Sequence, residues 1–122
     1  MRPIPSRILT TNVVFKVPVS IDTFQKPVYE DLPVLRTAIQ PLSKTRKTVN
    51  NTEVDLNSIL FIDGRLSSPR WPELNIWELK KKAEELGASL KVVVSGAEFT
   101  VMTCDALTDD TNHFHHWEVG LV

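Results

Sequence analysis

The stretch LKVVVSGAEFTVMT, residues 90–103, decides the fold. Apolar and polar residues alternate on both sides of Gly96-Ala97, which is the pattern of half-buried strands. Because glycine comes first in that pair, the pattern predicts a β-hairpin with a type II′ turn. Val94 would then pair with Phe99, and one face of the hairpin would be almost entirely apolar. Since a lone hairpin is marginal in water, further strands must cover this face.

Length and composition set the broad class of the protein. A chain of 122 residues predicts one domain, 1–122. The one cysteine, Cys104, has no partner for an internal disulfide, and no apolar run follows Met1-Arg2, so we expect synthesis in a reducing cytoplasm. No run approaches the roughly 18 apolar residues of a membrane span, so no membrane partner is expected.

The charges are balanced overall but unevenly distributed. The net charge of −1, from 14 basic and 15 acidic residues, argues against strong non-specific binding of nucleic acid. Residues 1–61 carry eight basic and five acidic groups, and residues 62–122 carry six and ten. Such asymmetry would orient neighbours in a ring of identical subunits, although scattered surface charge is the simpler interpretation.

Prolines and alternating residues predict the strands of the first half. Residues 1–6 read as an extended arm, because each proline disfavours helix at the residue before it. A strand over 7–17 is ended by Pro18, and a loop leads from it to a strand at 28–29. Another half-buried strand spans 34–40.

The segment 43–53 is polar and basic, and we expect a long loop there. It carries Lys44, Arg46 and Lys47. Two interpretations stay open for this group: a solvated loop tip, or a mobile loop that faces DNA.

The second half contains strands and one helix. Asn75 as the N-cap, Glu78 three residues later and Gly87 as the C-terminal cap predict a helix over about 76–86. Strands are predicted over 54–63 and 116–122. The whole pattern is mainly β, a small single-domain β-barrel or sandwich of about six to seven strands with one short inserted helix.

No motif for a reaction is found. His113, His115 and His116 lie near Cys104 and several aspartates, but their spacing matches no zinc pattern, and a polar entry to the last strand explains them more simply. Motifs for a nucleophilic serine or a phosphate-binding glycine loop are missing from the sequence. We therefore expect no enzyme, no cofactor and no metal.

The two ends of the chain carry a family resemblance. Arg2-Pro3-Ile4-Pro5 followed by Arg7-Ile8-Leu9, and the terminal run 115–122 (HHWEVGLV), resemble the ends of minor capsid proteins of long-tailed phages of Gram-positive bacteria. Those proteins are similar to head-closure, or stopper, proteins of the phage neck. The motif 26–29 (KPVY), the strand 56–63 and the hairpin 95–101 follow in the family's order. Two features depart from it: Gln25 stands where the family usually has glycine, and residues 71–88 replace a short loop.

The resemblance implies a structural role in the virion neck. Subunits would form a ring between the portal or adaptor protein and the tail-completion or tail-terminator protein, close the DNA-filled head and dock the tail. Double-stranded DNA would pass through the ring, with Lys44, Arg46 and Lys47 on a loop that projects into the channel. An unpaired strand edge accepts another chain readily, so the arm and the last strand are candidates for contacts between subunits. The candidate contact residues are Pro3, Ile4, Pro5, Trp117, Val119 and Leu121.

Two other functions remain as alternatives. Another neck component, an adaptor or tail-completion protein, would share the small β fold. A small β-barrel that binds nucleic acid would need a basic face with exposed aromatic residues, and the near-neutral composition disfavours it.

Overall fold

The computed structural model describes residues 4–41, 45–47, 53–55, 57–69 and 73–122, with the backbone alone for 45–47 and 53–55. This part of the chain forms eight strands and one α-helix. The elements are β1 (Thr11–Ile21), β2 (Pro27–Pro41), β3 (Thr45–Lys47), β4 (Glu53–Asp55), β5 (Ser58–Asp63), α1 (Ile76–Glu85), β6 (Lys91–Val94), β7 (Ala97–Thr108) and β8 (Phe114–Leu121).

Six of these strands close into a barrel in the order β1-β2-β5-β8-β7-β6. Every neighbouring pair in it is antiparallel. The strands β3 and β4 form a separate two-stranded sheet. The prediction of a small, mainly β barrel or sandwich with one short helix is confirmed, and the architecture is the barrel.

The interior is filled by apolar side chains at alternate positions of the strands, as a closed sheet requires. Most of them are completely shielded from solvent, and the core continues without a break into α1. The largest fully buried members are Trp117, Phe15, Leu60, Ile62, Leu74, Ile76, Leu90 and Leu121.

The central hairpin forms with a different turn from the one predicted. Val94 pairs with Ala97, so the two loop residues are Ser95 and Gly96. Their φ angles of 50° and 82° are both positive, which is the requirement of a type I′ turn. The predicted partner of Val94, Phe99, therefore lies two residues beyond its actual partner, Ala97. A shift of two preserves the faces of both strands, so the apolar face still lies in the core.

The strands β1 and β2 run through prolines that were expected to end or interrupt them. Pro18 lies beyond the stretch in which β1 pairs with β6, so no bond to that neighbour is lost there. Pro33 lies where β2 pairs with β1 alone, because its pairing with β5 begins only at Thr37. The predicted strands 28–29 and 34–40 are consequently one strand. The predicted strand 7–17 begins late, because Ser6–Ile8 is a 3-10 helix.

The predicted loop 43–53 contains a strand. Thr45–Lys47 pairs with Glu53–Asp55, which satisfies backbone groups that a loop would leave to water. The predicted strand 54–63 is divided between β4 and β5. The remaining residues of that loop, including Lys44, lie outside the described part of the chain.

The helix α1 forms as its capping residues predict. The Oδ1 of Asn75 accepts a hydrogen bond from the Glu78 amide at 3.3 Å. At the other end Gly87, with φ of 70°, lets the Ala88 amide reach the Ala83 carbonyl at 2.9 Å. The helix packs on β1 and β7 and contributes buried residues to the core, so it covers one end of the barrel.

Because neighbouring strands are antiparallel, the loops and turns that connect them lie alternately at the two ends of the barrel. The end that we call the helix end holds the turn 22–26, residues 64–69 and 73–75, α1 and the turn 109–113. The opposite end, which we call the terminal end, holds residues 4–10, the β3–β4 hairpin, the turn 95–96 and Val122.

Candidate functional site

The described residues of the basic segment 43–53 lie at the terminal end of the barrel. Arg46 and Lys47 belong to β3, and the pairing places Lys47 opposite Glu53. A basic residue of the segment therefore lies opposite an acidic one in the folded chain. Sequence reasoning missed this pairing, because three-residue strands in a polar segment give almost no periodic signal.

The N-terminal arm is fixed to the barrel just before β1. Leu9 is buried, whereas Pro5 and Ile8 are exposed and Ile4 is half-buried. Pro3 lies outside the described residues. Residues 4–8 thus present apolar surface at the terminal end, where β3 also lies.

The last strand does not offer the free edge that was expected. It pairs with β5 on one side and β7 on the other. The side chains of Trp117, Val119 and Leu121 are at most 1% exposed and lie inside the barrel. The prediction that these three residues contact another subunit was therefore wrong. Closure of the barrel buries them in the core of the same chain.

A hydrogen-bonded segment follows β5 at the helix end. The buried carboxylate of Asp63 accepts a hydrogen bond from the Leu66 amide at 2.8 Å. The Asp63 amide donates to the Ser67 hydroxyl at 2.9 Å, and that hydroxyl donates to the Arg36 carbonyl. Leu35 and Ser68 exchange backbone hydrogen bonds of 2.8 and 3.2 Å. The segment 63–68 is therefore tied to β2.

The contact with β2 depends on a bulge that the sequence does not signal. Two residues of β2, Leu35 and Arg36, lie opposite Asn12 of β1. Arg36 adopts a left-handed φ of 59°, and its amide donates to the Asn12 Oδ1 at 3.1 Å. Arginine is not a residue that predicts this conformation, so only the structure reveals the bulge.

Two aromatic side chains are exposed at the helix end. Phe24, in the turn between β1 and β2, is 80% exposed, and Trp77 of α1 is 54% exposed. The Trp77 Nε1 donates to the Cys104 carbonyl at 2.8 Å, and its ring meets Trp117 edge-on at 5.6 Å. Trp77 is thus held rigidly while half of its surface faces solvent, which suits a contact with another protein.

Two chemically reactive side chains, those of Cys104 and His113, lie in different elements of the described chain. Burial raises the pKa of the Cys104 thiol to about 12, so it stays protonated at neutral pH and is a poor nucleophile. His113 precedes β8 in the turn 109–113, where its Nδ1 lies 2.7 Å from the Thr111 hydroxyl. In the described part of the chain, no three His, Cys, Asp or Glu side chains come together in a group that could hold a metal ion.

None of the described helical structure has both the length and the apolar character needed to span a membrane.

Comparison with known proteins identifies the family. No curated protein sequence matches the chain. The sequence model of the family described as Minor capsid protein matches residues 5–121, which include every strand of the barrel and α1. A match over this length covers the first hairpin, the central hairpin and most of the C-terminal motif, and it begins at Pro5 within the N-terminal motif. The chain therefore belongs to the Minor capsid protein family, a family of phage structural proteins that are components of the virion.

Proposed function

We propose that this minor capsid protein acts in the phage neck as a head-closure protein. Its subunits form a ring between the portal or adaptor protein and the tail-completion or tail-terminator protein, and the ring retains the packaged DNA and docks the tail. The observation that carries this proposal is the separation of surfaces on the barrel. The β3–β4 hairpin, with Arg46 and Lys47 on β3, lies at the terminal end, and the exposed Phe24 and Trp77 lie at the helix end.

The charge distribution suits a channel that DNA must leave quickly. A lining rich in lysine and arginine would hold DNA through counterion release and slow its exit. The chain has a net charge of −1, and Glu53 lies opposite Lys47 in the β3–β4 hairpin. Asp55 of β4 balances a second basic residue, so the paired strands carry no net charge and Lys44, just before β3, adds one positive charge. In our proposal this hairpin faces the channel and contacts DNA without retaining it strongly.

Contacts between subunits are proposed for the arm. Pro5 and Ile8 present apolar surface next to the buried anchor Leu9. Because both edges of β8 are paired within the barrel, a neighbour has no access to a strand edge there. The excess of basic groups in residues 1–61 and of acidic groups in 62–122 favours a head-to-tail contact, in which two different faces meet.

The proposed role is structural, with no catalytic step and no cofactor. The half-buried thiol of Cys104 is protonated at neutral pH, and the carboxylate of Asp63 is engaged in the turn that follows β5. These groups stabilise the barrel and its connections.

Deletion of the gene from its phage or prophage tests the proposal. Electron microscopy of the induced lysate should show complete, separate tails beside tailless heads that have lost their DNA. Normal joined particles would contradict a neck function.

Complementation of the deletion tests the role of the basic segment. The wild-type gene should restore joined, DNA-filled particles, and the K44A/R46A/K47A variant should change the amount of DNA retained in heads. The matched control is K80A/K81A/K82A, which removes the same charge from α1 at the helix end. Equal DNA retention in the two triple variants would contradict the channel assignment.

A further inference from the structure

The two consecutive histidines at the start of β8 contact each other through the same ring atom. The Nδ1 of His115 lies 2.7 Å from the Nδ1 of His116, and the two rings are nearly perpendicular, at 79°. A hydrogen bond between two such nitrogens requires a proton on one and a bare lone pair on the other. A protonated imidazolium carries a proton on both of its nitrogens, so at least one ring must be neutral. While this contact exists, the pair holds at most one positive charge.

The surroundings of His116 further restrict its charge. The residue is 8% exposed and packs near the Phe61 ring, at 6.2 Å between centroids. Burial lowers the pKa of His116, the nearby His115 lowers it further, and the carboxylates of Glu118 and Asp63 partly oppose these effects.

The neighbouring strands place both titratable and apolar residues opposite this site. The strand β5 faces the pair with Asp63, which is paired with His116 in register. On β7 the register partner of His116 is Leu107, which does not titrate, and Asp105 lies opposite Glu118. The charge state of the site therefore depends on the two imidazoles together with the carboxylates of Glu118 and Asp63.

The backbone of His115 holds the segment 63–68 in place. Its carbonyl accepts a hydrogen bond from the Gly64 amide at 2.8 Å. The approach is so close that a Cβ on Gly64 would lie 2.8 Å from this carbonyl oxygen and 2.9 Å from the Phe114 ring. The same segment follows β5 and is bonded to β2 through Ser67 and Ser68. A displacement of His115 on β8 therefore affects a segment that connects β5, β2 and β8.

We propose that the His115–His116 pair is a proton-dependent latch at the helix end of the barrel. With no more than one positive charge on the pair, the bond between the rings is intact and Gly64 stays bonded to His115. When a second proton from solvent binds the bare Nδ1, two N–H groups and two positive charges face each other. The bond between the rings then breaks, and the attachment of segment 63–68 to β8 loosens. This inference is independent of the neck function.

Histidine titration of the folded, full-length protein by NMR between pH 8 and pH 5 tests the first half of the proposal. The pair should take up its two protons in separate steps about one pH unit or more apart, a difference of about tenfold in proton affinity. In H115F, which keeps an aromatic ring but has no titratable nitrogen, His116 should titrate in a single step. In H113N, the matched control outside β8, both steps should remain as in the wild type.

Amide exchange at Gly64 tests the second half. Its protection factor, corrected for the intrinsic pH dependence of exchange, should fall about tenfold or more across the second step in the wild type. In H115F it should stay constant over the same range. A single unseparated titration of the pair, or a Gly64 protection factor that changes equally in the wild type and in H115F, would overturn the latch. If circular dichroism shows H115F to be misfolded, H115Q supplies an uncharged polar replacement for both measurements.

Discussion

Single residues set the shape of two turns at the helix end. In 22–26 and in 109–113 the first residue is an aspartate whose Oδ1 accepts hydrogen bonds from the amides two and four residues later, at 2.8–3.0 Å. The fourth residue of each turn is left-handed, Gln25 with φ of 62° and Asn112 with φ of 68°. Both turns are thus a type I turn followed by a left-handed residue, a common three-residue hairpin loop. Glycine adopts this conformation at the lowest cost, and Gln25 does so under strain.

Substitution of Gln25 by glycine should stabilise the protein. Relief of the left-handed strain exceeds the entropy that glycine adds to the unfolded chain, and we expect Q25G to raise the free energy of unfolding by about 0.5–1 kcal/mol. The control is N112G, with a smaller gain because asparagine tolerates this conformation. Urea unfolding monitored by tryptophan fluorescence measures both. A larger gain in N112G than in Q25G would contradict the explanation.

At the scale of elements, local signals decided the helix and tertiary pairing decided the strands. The helix begins after Asn75 and ends before Gly87, as the capping residues predict. Pro18 and Pro33 do not mark the strand ends that were predicted from them. Proline lacks an amide hydrogen, and this loss matters only where a neighbouring strand would accept a hydrogen bond from that position. The same dependence explains why the β3–β4 pairing, and with it the position of Lys47 opposite Glu53, was not predictable from the sequence.

Removal of the N-cap should destabilise α1 and the barrel end that it covers. In N75A the Glu78 amide loses its hydrogen-bond acceptor, and the free energy of unfolding should fall by about 1 kcal/mol. The exposed helix residue Lys81 provides the control, because K81A alters neither cap and introduces a good helix former. Urea unfolding midpoints compare the two. A loss in K81A equal to that in N75A would show that capping is not the cause.

At the scale of the whole molecule, closure of the barrel determines which residues can reach another protein. It removes the edges of β8, and the outward-facing features include residues 4–8, the β3–β4 hairpin and the aromatic residues Phe24 and Trp77. Closure also buries His116 between β5 and β7, so protonation of this ring opposes folding of the barrel.

The free energy of unfolding should therefore fall as the solution is acidified below about pH 6.5, the ordinary pKa of histidine. Because burial lowers the pKa of His116 in the folded protein, the unfolded chain binds more protons in this range, and protonation favours unfolding. The loss should level off below the pKa of His116 in the folded state. Urea midpoints at pH 7.5, 6.5 and 5.5 measure it, with H113N expected to follow the wild type and H116N to show a weaker dependence. Equal wild-type midpoints at pH 7.5 and 5.5 would contradict the prediction.

The sequence by itself determined the mainly β class, the helix after Asn75 and the apolar face of the central hairpin. Helix caps and the alternation of apolar and polar residues in strands involve only a few neighbouring residues, so the local sequence is enough to predict them. The tertiary structure decided the Ser95–Gly96 turn, the bulge at Arg36, the burial of Trp117 and the contact between His115 and His116. Each of these depends on register and closure, which are set by the joint packing of strands far apart in the chain.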